Sequence, residues 1–83
     1  MTVRTLFFAS YRDLAGTSEL SVVLPDSARV ADLVASLRDR GGSWARLPAA
    51  PSIAVNMEYA TLTHPLRDGD EVALIPPVAG GTR

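Results

Sequence analysis

The sequence predicts a single α+β domain, a sheet of four to five strands covered on one face by one main helix. Three observations predict it. The chain has 83 residues, a length that suits one domain with one core. Apolar and polar residues alternate in several short runs rich in β-formers, the two-residue period of half-buried strands. Val30, Leu33, Val34 and Leu37 fall at i, i+3, i+4 and i+7, one apolar stripe along one helix. A single stripe needs a single sheet face to cover.

The first strand is read over Thr2–Ala9. Val3, Thr5 and Phe7 share one face, and Leu6 and Phe8 share the other. Phe7 is assigned to the core. Phe8 then points away, either onto a partner surface or beneath a covering loop or helix. Ser10 to Asp13 has the form of a weak capping box, with Asp in place of Glu at N3. It predicts one helical turn ending at Gly16. Glu19–Leu24 is the second strand, with Leu20, Val22 and Leu24 on one face, and Pro25 stops it. A short connection predicts an antiparallel pair.

Asp26 and Ser27 offer N-caps for the main helix. Asp32, Ser36, Arg38 and Asp39 face solvent. Arg38 and Arg40 suit the helix C-terminus, and Gly41 is read as its C′ residue. The internal pair Gly41-Gly42 is therefore a helix stop. Ser43–Leu47 is a short turn that drops Trp44 or Leu47 onto the core. Pro48–Pro51 is a loop, Ile53–Val55 a third strand, and Asn56 begins a turn. Tyr59–Leu62 is a brief strand. His64-Pro65 bends the chain toward the last strand, Glu71–Ile75. Val72 and Leu74 are apolar on one face and Ile75 on the other, which places that strand inside the sheet beside the first.

Pro76 and Pro77 have no N–H to donate, so the ladder ends there. Residues 76–83 are read as a flexible C-terminal tail. Gly80 and Gly81 carry no Cβ and can enter a slot too narrow for side chains. A frayed terminus is the plainer reading of the same residues; the Pro-Pro brace before a glycine pair argues for a working tail.

A formal net charge of −1 predicts no nucleic-acid footprint. No apolar run approaches the roughly 20 residues needed to cross a bilayer, and the N-terminus lacks the sections of a secretion signal. A cytoplasmic protein is expected. The chain has no cysteine, hence no disulfide, no thiolate nucleophile and no cysteine metal site. All eight basic residues are arginine, so no lysine is available for conjugation to the chain itself. The lone histidine, His64, precedes a proline and reads as a turn residue. No Gly-x-Ser-x-Gly elbow marks a nucleophile. Asp68, Asp70 and Glu71 lack the spacing of a calcium loop and read as a solvated turn. Neither glycine pair is followed by the Lys-Ser/Thr of a phosphate loop. No metal and no cofactor bound by this chain is expected.

The stretch DGDEVALIPPVAGG, residues 68–81, resembles the end of the molybdopterin synthase small subunit, a family of ubiquitin-like sulfur carriers. Leu6-Phe7-Phe8-Ala9 with Arg12 resembles that family's first strand and following turn. Val30–Leu33 resembles the start of its main helix, Ala54-Val55-Asn56 its third strand, and His64-Pro65-Leu66 the approach to its last strand. The resemblance implies a β-grasp, ubiquitin-like fold with a mixed sheet.

It also implies a chemistry. A carboxylate is a poor electrophile; coupling to AMP supplies a leaving group, and a sulfur nucleophile then gives a thiocarboxylate. The resemblance assigns Gly81 as the sulfur-bearing position and Gly80 as its slim neighbour. Pro76, Pro77, Val78 and Ala79 form the arm inserted into the large synthase subunit, in an expected heterotetramer. Phe8, Arg12, Tyr59 and Ile75 match partner-binding positions. From the residues alone, Arg12 reads equally as a free surface arginine, and Tyr59 and Ile75 as half-buried sheet residues. The implied partners include a ubiquitin-activating-type adenylyltransferase using ATP and magnesium, and a sulfur-donor protein.

One departure stands out. In the family the second glycine is usually terminal, whereas Thr82 and Arg83 follow it here. An internal Gly81 carbonyl is an amide and cannot be adenylated. Three accounts stand: proteolytic trimming, a cloning scar, or a paralogue that no longer carries sulfur. The competing functions are a ubiquitin-like protein modifier, a sulfur carrier for thiamine or transfer-RNA thiolation, and a plain binding module.

Overall fold

The computed structural model describes residues 1–77. Its strands are β1 (Thr2–Phe7), β2 (Glu19–Val23), β3 (Ser52–Val55), β4 (Glu58–Ala60) and β5 (Glu71–Ile75). Helix α1 spans Ala9–Ala15 and α2 spans Val30–Arg38, and a 3₁₀ turn covers Gly42–Arg46. The five strands form one sheet in the order β2-β1-β5-β3-β4. β1 and β5 are parallel, and the other neighbours are antiparallel. The last strand is thus central, beside the first, in the expected β-grasp layout.

Side-chain alternation decides which face is covered. Val3, Thr5 and Phe7 of β1 are buried, as are Val72 and Leu74 of β5. Against them lies the α2 stripe, with Val30, Leu33, Val34 and Leu37 all within 2% of full burial. These residues and Leu47, Ile53 and Leu66 belong to one core. Trp44 closes its end, edge-on to Phe7 with ring centroids 5.4 Å apart, while the Arg40 guanidinium sits over its outer face. Both residues proposed for that turn therefore reach the core. Among the described residues the opposite face of the sheet carries no helix.

Several local expectations are corrected. Asp26 and Ser27 do not cap α2. The N-cap is Arg29, whose amide donates to the Asp32 carboxylate at 2.8 Å. Asp26 instead pairs with the amino terminus at 3.2 Å. The first amides of α2 find loop carbonyls: Val30 donates to His64 and Ala31 to Leu62. A helix start tucked against a loop needs no side-chain cap, because the loop accepts its orphan N–H groups. His64 therefore serves through its backbone. Ser10 is likewise not a cap. α1 begins two residues earlier than a Ser10 cap would place it, with Phe8 as N-cap and no side-chain cap bond, and runs for 7 residues. Strand β1 ends at Phe7 because Ala9 turns into the left-handed region at φ 48°. Gly16 caps α1 at φ 74° as expected. α2 ends at Arg38 with Asp39 as C-cap, which puts Gly41 one position beyond C′. Gly41 instead opens the 3₁₀ turn. The brief fourth strand lies over Glu58–Ala60, not Tyr59–Leu62.

The acidic turn before β5 is structural. Asp68 accepts the Thr2 amide at 2.7 Å. Asp70 accepts the Arg67 amide at 2.8 Å and the Asn56 side-chain amide at 2.9 Å. Asn56 also accepts the Glu71 amide at 3.0 Å. The start of β5 is thereby tied to both β1 and the β3–β4 turn. Among the described residues no helix is long and apolar enough to cross a membrane.

Candidate functional site

The uncovered face of the sheet holds the site. Leu6 pairs with Ala73, Ala73 with Ala54, and Ala54 with Tyr59. These four residues form a row across β1, β5, β3 and β4. Its two central members are alanines, so the middle of the row is low and its ends are high. Phe8, Ile75 and Met57 add to the rim, and the result is a groove of about 300 Å³. The charged side chain in it is Glu71, which takes a 3.0 Å ion pair from Arg4. Arg4 also pairs with Glu19 at 3.0 Å. The groove thus has an apolar floor and one charge-balanced margin.

Exposure separates the readings left open by the sequence. Phe8 is 49% exposed and Tyr59 80%. Neither is covered by a loop or helix, and Tyr59 is not a half-buried sheet residue. Ile75 is half-buried at the groove's edge. Phe8, Tyr59 and Ile75, far apart in sequence, are brought together. Arg12 is not part of the groove lining. It is exposed on α1, with its amide directed to the Phe8 carbonyl at 3.4 Å.

Pro76 and Pro77 continue directly from Ile75, the first half-buried and the second exposed. The chain therefore leaves the sheet beside the groove. Val78, Ala79, Gly80 and Gly81, the remaining predicted arm and sulfur position, lie outside the described residues. No group of three or more His, Cys, Asp or Glu able to hold a metal is found among the described residues.

The family model for the ThiS family matches residues 5–81, from the middle of β1 through the glycine pair. The chain belongs to the ThiS family. Its relatives within that family include the molybdopterin synthase sulfur carrier subunit of Chlamydomonas reinhardtii, 38% identical, with 98% of this chain and 100% of that one covered. Among solved structures, SAMP1, the small archaeal modifier protein 1 of Haloferax volcanii, superposes with a TM-score of 0.84 at 28% identity, covering 98% of this chain and 100% of that one. A protein–protein complex of subunits 1 and 2 of the molybdopterin-converting factor from Helicobacter pylori contains a chain 27% identical, with a TM-score of 0.70, covering 98% of this chain and 100% of that one. The ThiS-family β-grasp fold is therefore shared at full length.

Sequence reasoning missed five lining residues: Leu6, Ala54, Met57, Glu71 and Ala73. Leu6 and Ala73 were legible as outward positions, by alternation with Phe7 and Leu74. Ala54 needed the register between strands. Met57 had a signal: a large apolar residue directly after Asn56, at a hairpin tip where glycine is the usual occupant.

Proposed function

We propose that this ThiS-family chain is the sulfur-carrier small subunit of a cytoplasmic molybdopterin synthase. It contributes a sulfur-bearing terminus and a docking face, and no catalytic site of its own. One observation carries the reading: the central strand β5 delivers the chain out of the sheet at the rim of an exposed apolar groove. A partner that covers the groove receives the tail at a set starting point. The four residues that follow Pro77, ending at Gly81, reach about 13–14 Å into that partner when fully extended.

Gly81 is the sulfur position in this reading, and Gly80 keeps the approach slim. Phe8, Tyr59 and Ile75 dock on the large subunit, and Arg12, next to Phe8, offers a guanidinium to a carboxylate at the rim. ATP and magnesium, used by a ubiquitin-activating-type adenylyltransferase, would convert the Gly81 carboxylate to an acyl-adenylate. A sulfur donor displaces AMP and leaves a thiocarboxylate. Sulfur then passes to the pyranopterin precursor and the carboxylate returns, so the carrier is reused. Whatever follows Gly81, Thr82 and Arg83 included, must be cleaved first, because an amide carbonyl lacks the oxygen that adenylation requires. The absence of cysteine from the chain suits a carrier that holds sulfur on a carbonyl.

Intact mass spectrometry of the untagged protein from its native host tests this. A chain ending at Gly81 and heavier by the difference between one sulfur and one oxygen is the expected species. Gly81 found joined to lysines of other proteins, with no thiocarboxylate, would instead identify a protein modifier.

A further inference from the structure

Three non-glycine residues among the described ones have left-handed backbone: Ala9, Asn56 and Met57. Residues with a Cβ avoid that region because the Cβ meets the following carbonyl. Met57 lines the groove, and the other two adjoin lining residues in sequence. Ala9 follows Phe8, and Asn56 and Met57 are the two turn residues between β3 and β4, where Val55 pairs with Glu58. Strain that persists beside a surface, when a simple substitution would relieve it, marks a position held for function.

The two turn residues differ. φ is 50° at Asn56 and 73° at Met57, the geometry of a type I′ hairpin turn, for which Asn-Gly is the favoured pair. Asn56 suits its place: its side chain donates to Asp70 and accepts from the Glu71 amide. Met57 occupies the glycine place. Its thioether forms no strong hydrogen bond to offset the backbone, and 90% of the residue is exposed. The free chain thus carries an unfavourable backbone angle and an exposed apolar side chain at one residue, and glycine would remove both. Met57 also lines the groove with Phe8, Tyr59 and Ile75.

We propose that Met57 is an anchor for the large subunit, held at a strained hairpin tip because its unbranched, polarizable side chain fills an irregular apolar hollow in that partner. The proposal rests on the sulfur-carrier reading and extends the docking face across the β3–β4 turn. The trade predicts opposite effects on stability and binding, which a merely structural methionine would not produce.

The test compares Met57→Gly, Met57→Ala and Met57→Leu in the otherwise intact chain. Thermal unfolding and titration calorimetry against the purified large subunit are the two readouts. Met57→Gly should raise Tm by about 3 °C and weaken binding about tenfold. Met57→Ala, which keeps the Cβ strain, should weaken binding equally without raising Tm. Met57→Leu should hold affinity within about threefold. Glycine and alanine variants that bind like the wild type would overturn the proposal, and so would a glycine variant with no gain in Tm. A wild-type chain that fails to bind the large subunit would overturn the sulfur-carrier reading itself.

Discussion

Tyr59 offers the cleanest trial of the docking face, because little of it is committed to the fold. It is 80% exposed. A tyrosine buries roughly 200 Å² when fully covered, so about 160 Å² remains for a partner. At about 25 cal/mol per Å² the ceiling is about 4 kcal/mol. The polar hydroxyl and incomplete coverage at a groove's end reduce this to about 2 kcal/mol, a 30-fold loss in Kd on Tyr59→Ala. The cost to the free chain is much smaller. Only its base packs in the sheet, and loss of an aromatic from edge strand β4 costs less than about 1 kcal/mol, which keeps Tm within roughly 5 °C. Calorimetric titration with the large subunit reads the first quantity and a thermal melt the second. Affinity unchanged within about threefold at unchanged Tm would show that the open sheet face is not where the partner sits.

Three further outcomes follow from the core and the turns. Thr5 is fully buried on β1 between Leu20 and Val72, and its hydroxyl has no partner among the described residues; Thr5→Val should add about 1 kcal/mol, raising Tm by about 4–8 °C, and a lowered Tm would show that the hydroxyl is satisfied. Asn56→Ala removes both ties to the start of β5 and places an alanine at φ 50°; urea unfolding should show about 2 kcal/mol lost through a lower midpoint at unchanged m, and an unchanged midpoint would mean that the network contributes nothing. Burial pushes the Tyr11 phenol above its ordinary value of 10.0. The unfolded chain therefore ionises first, so the native advantage is complete below about pH 10 and declines as pH rises from there toward the folded value. Tyr11→Phe should flatten that alkaline decline in stability, and an unaltered slope would assign it to another group.

The fold was legible to the degree that periodicity carries it. The α2 stripe and the alternation of β1 and β5 identified the buried face residue by residue, since a one-residue slip would have reversed every side chain. Caps were misread for a physical reason. Asp26 and Ser27 have the right chemistry for an N-cap, but the orphan amides of α2 are met by carbonyls of Leu62 and His64, more than thirty positions away. A preference scale for single residues cannot register a partner supplied by tertiary contact. The groove shows the same division. Tyr59 is found through resemblance, whereas Leu6, Phe8, Ala73 and Ile75 follow from alternation as outward positions. The floor at Ala54 depends on the β3–β5 register, which no local pattern encodes.

Placing the tail on β5, rather than on an edge strand, has a mechanical consequence. β5 is bonded on one side to β1 and on the other to β3. Its entry is clamped by Asp68 to Thr2 and by Asn56 to Glu71. A central strand is the last part of a sheet to open, whereas edges and termini fray first. The point where Pro76 leaves the ladder is thus among the most firmly placed in the molecule. Ala73 and Ile75, two residues of that same strand, form part of the groove. Groove and tail origin therefore share one rigid element, so in the proposed reading a partner that binds the first has already located the second. In the proposed reading, sulfur delivery needs accuracy only over the few residues from Pro76 to Gly81. A prolyl pair restricts two of their φ angles before binding, so less conformational freedom is left to lose on insertion. On that reading, a short reach from a stiff origin is what would let an 83-residue chain with a small core present one reactive atom to a large partner.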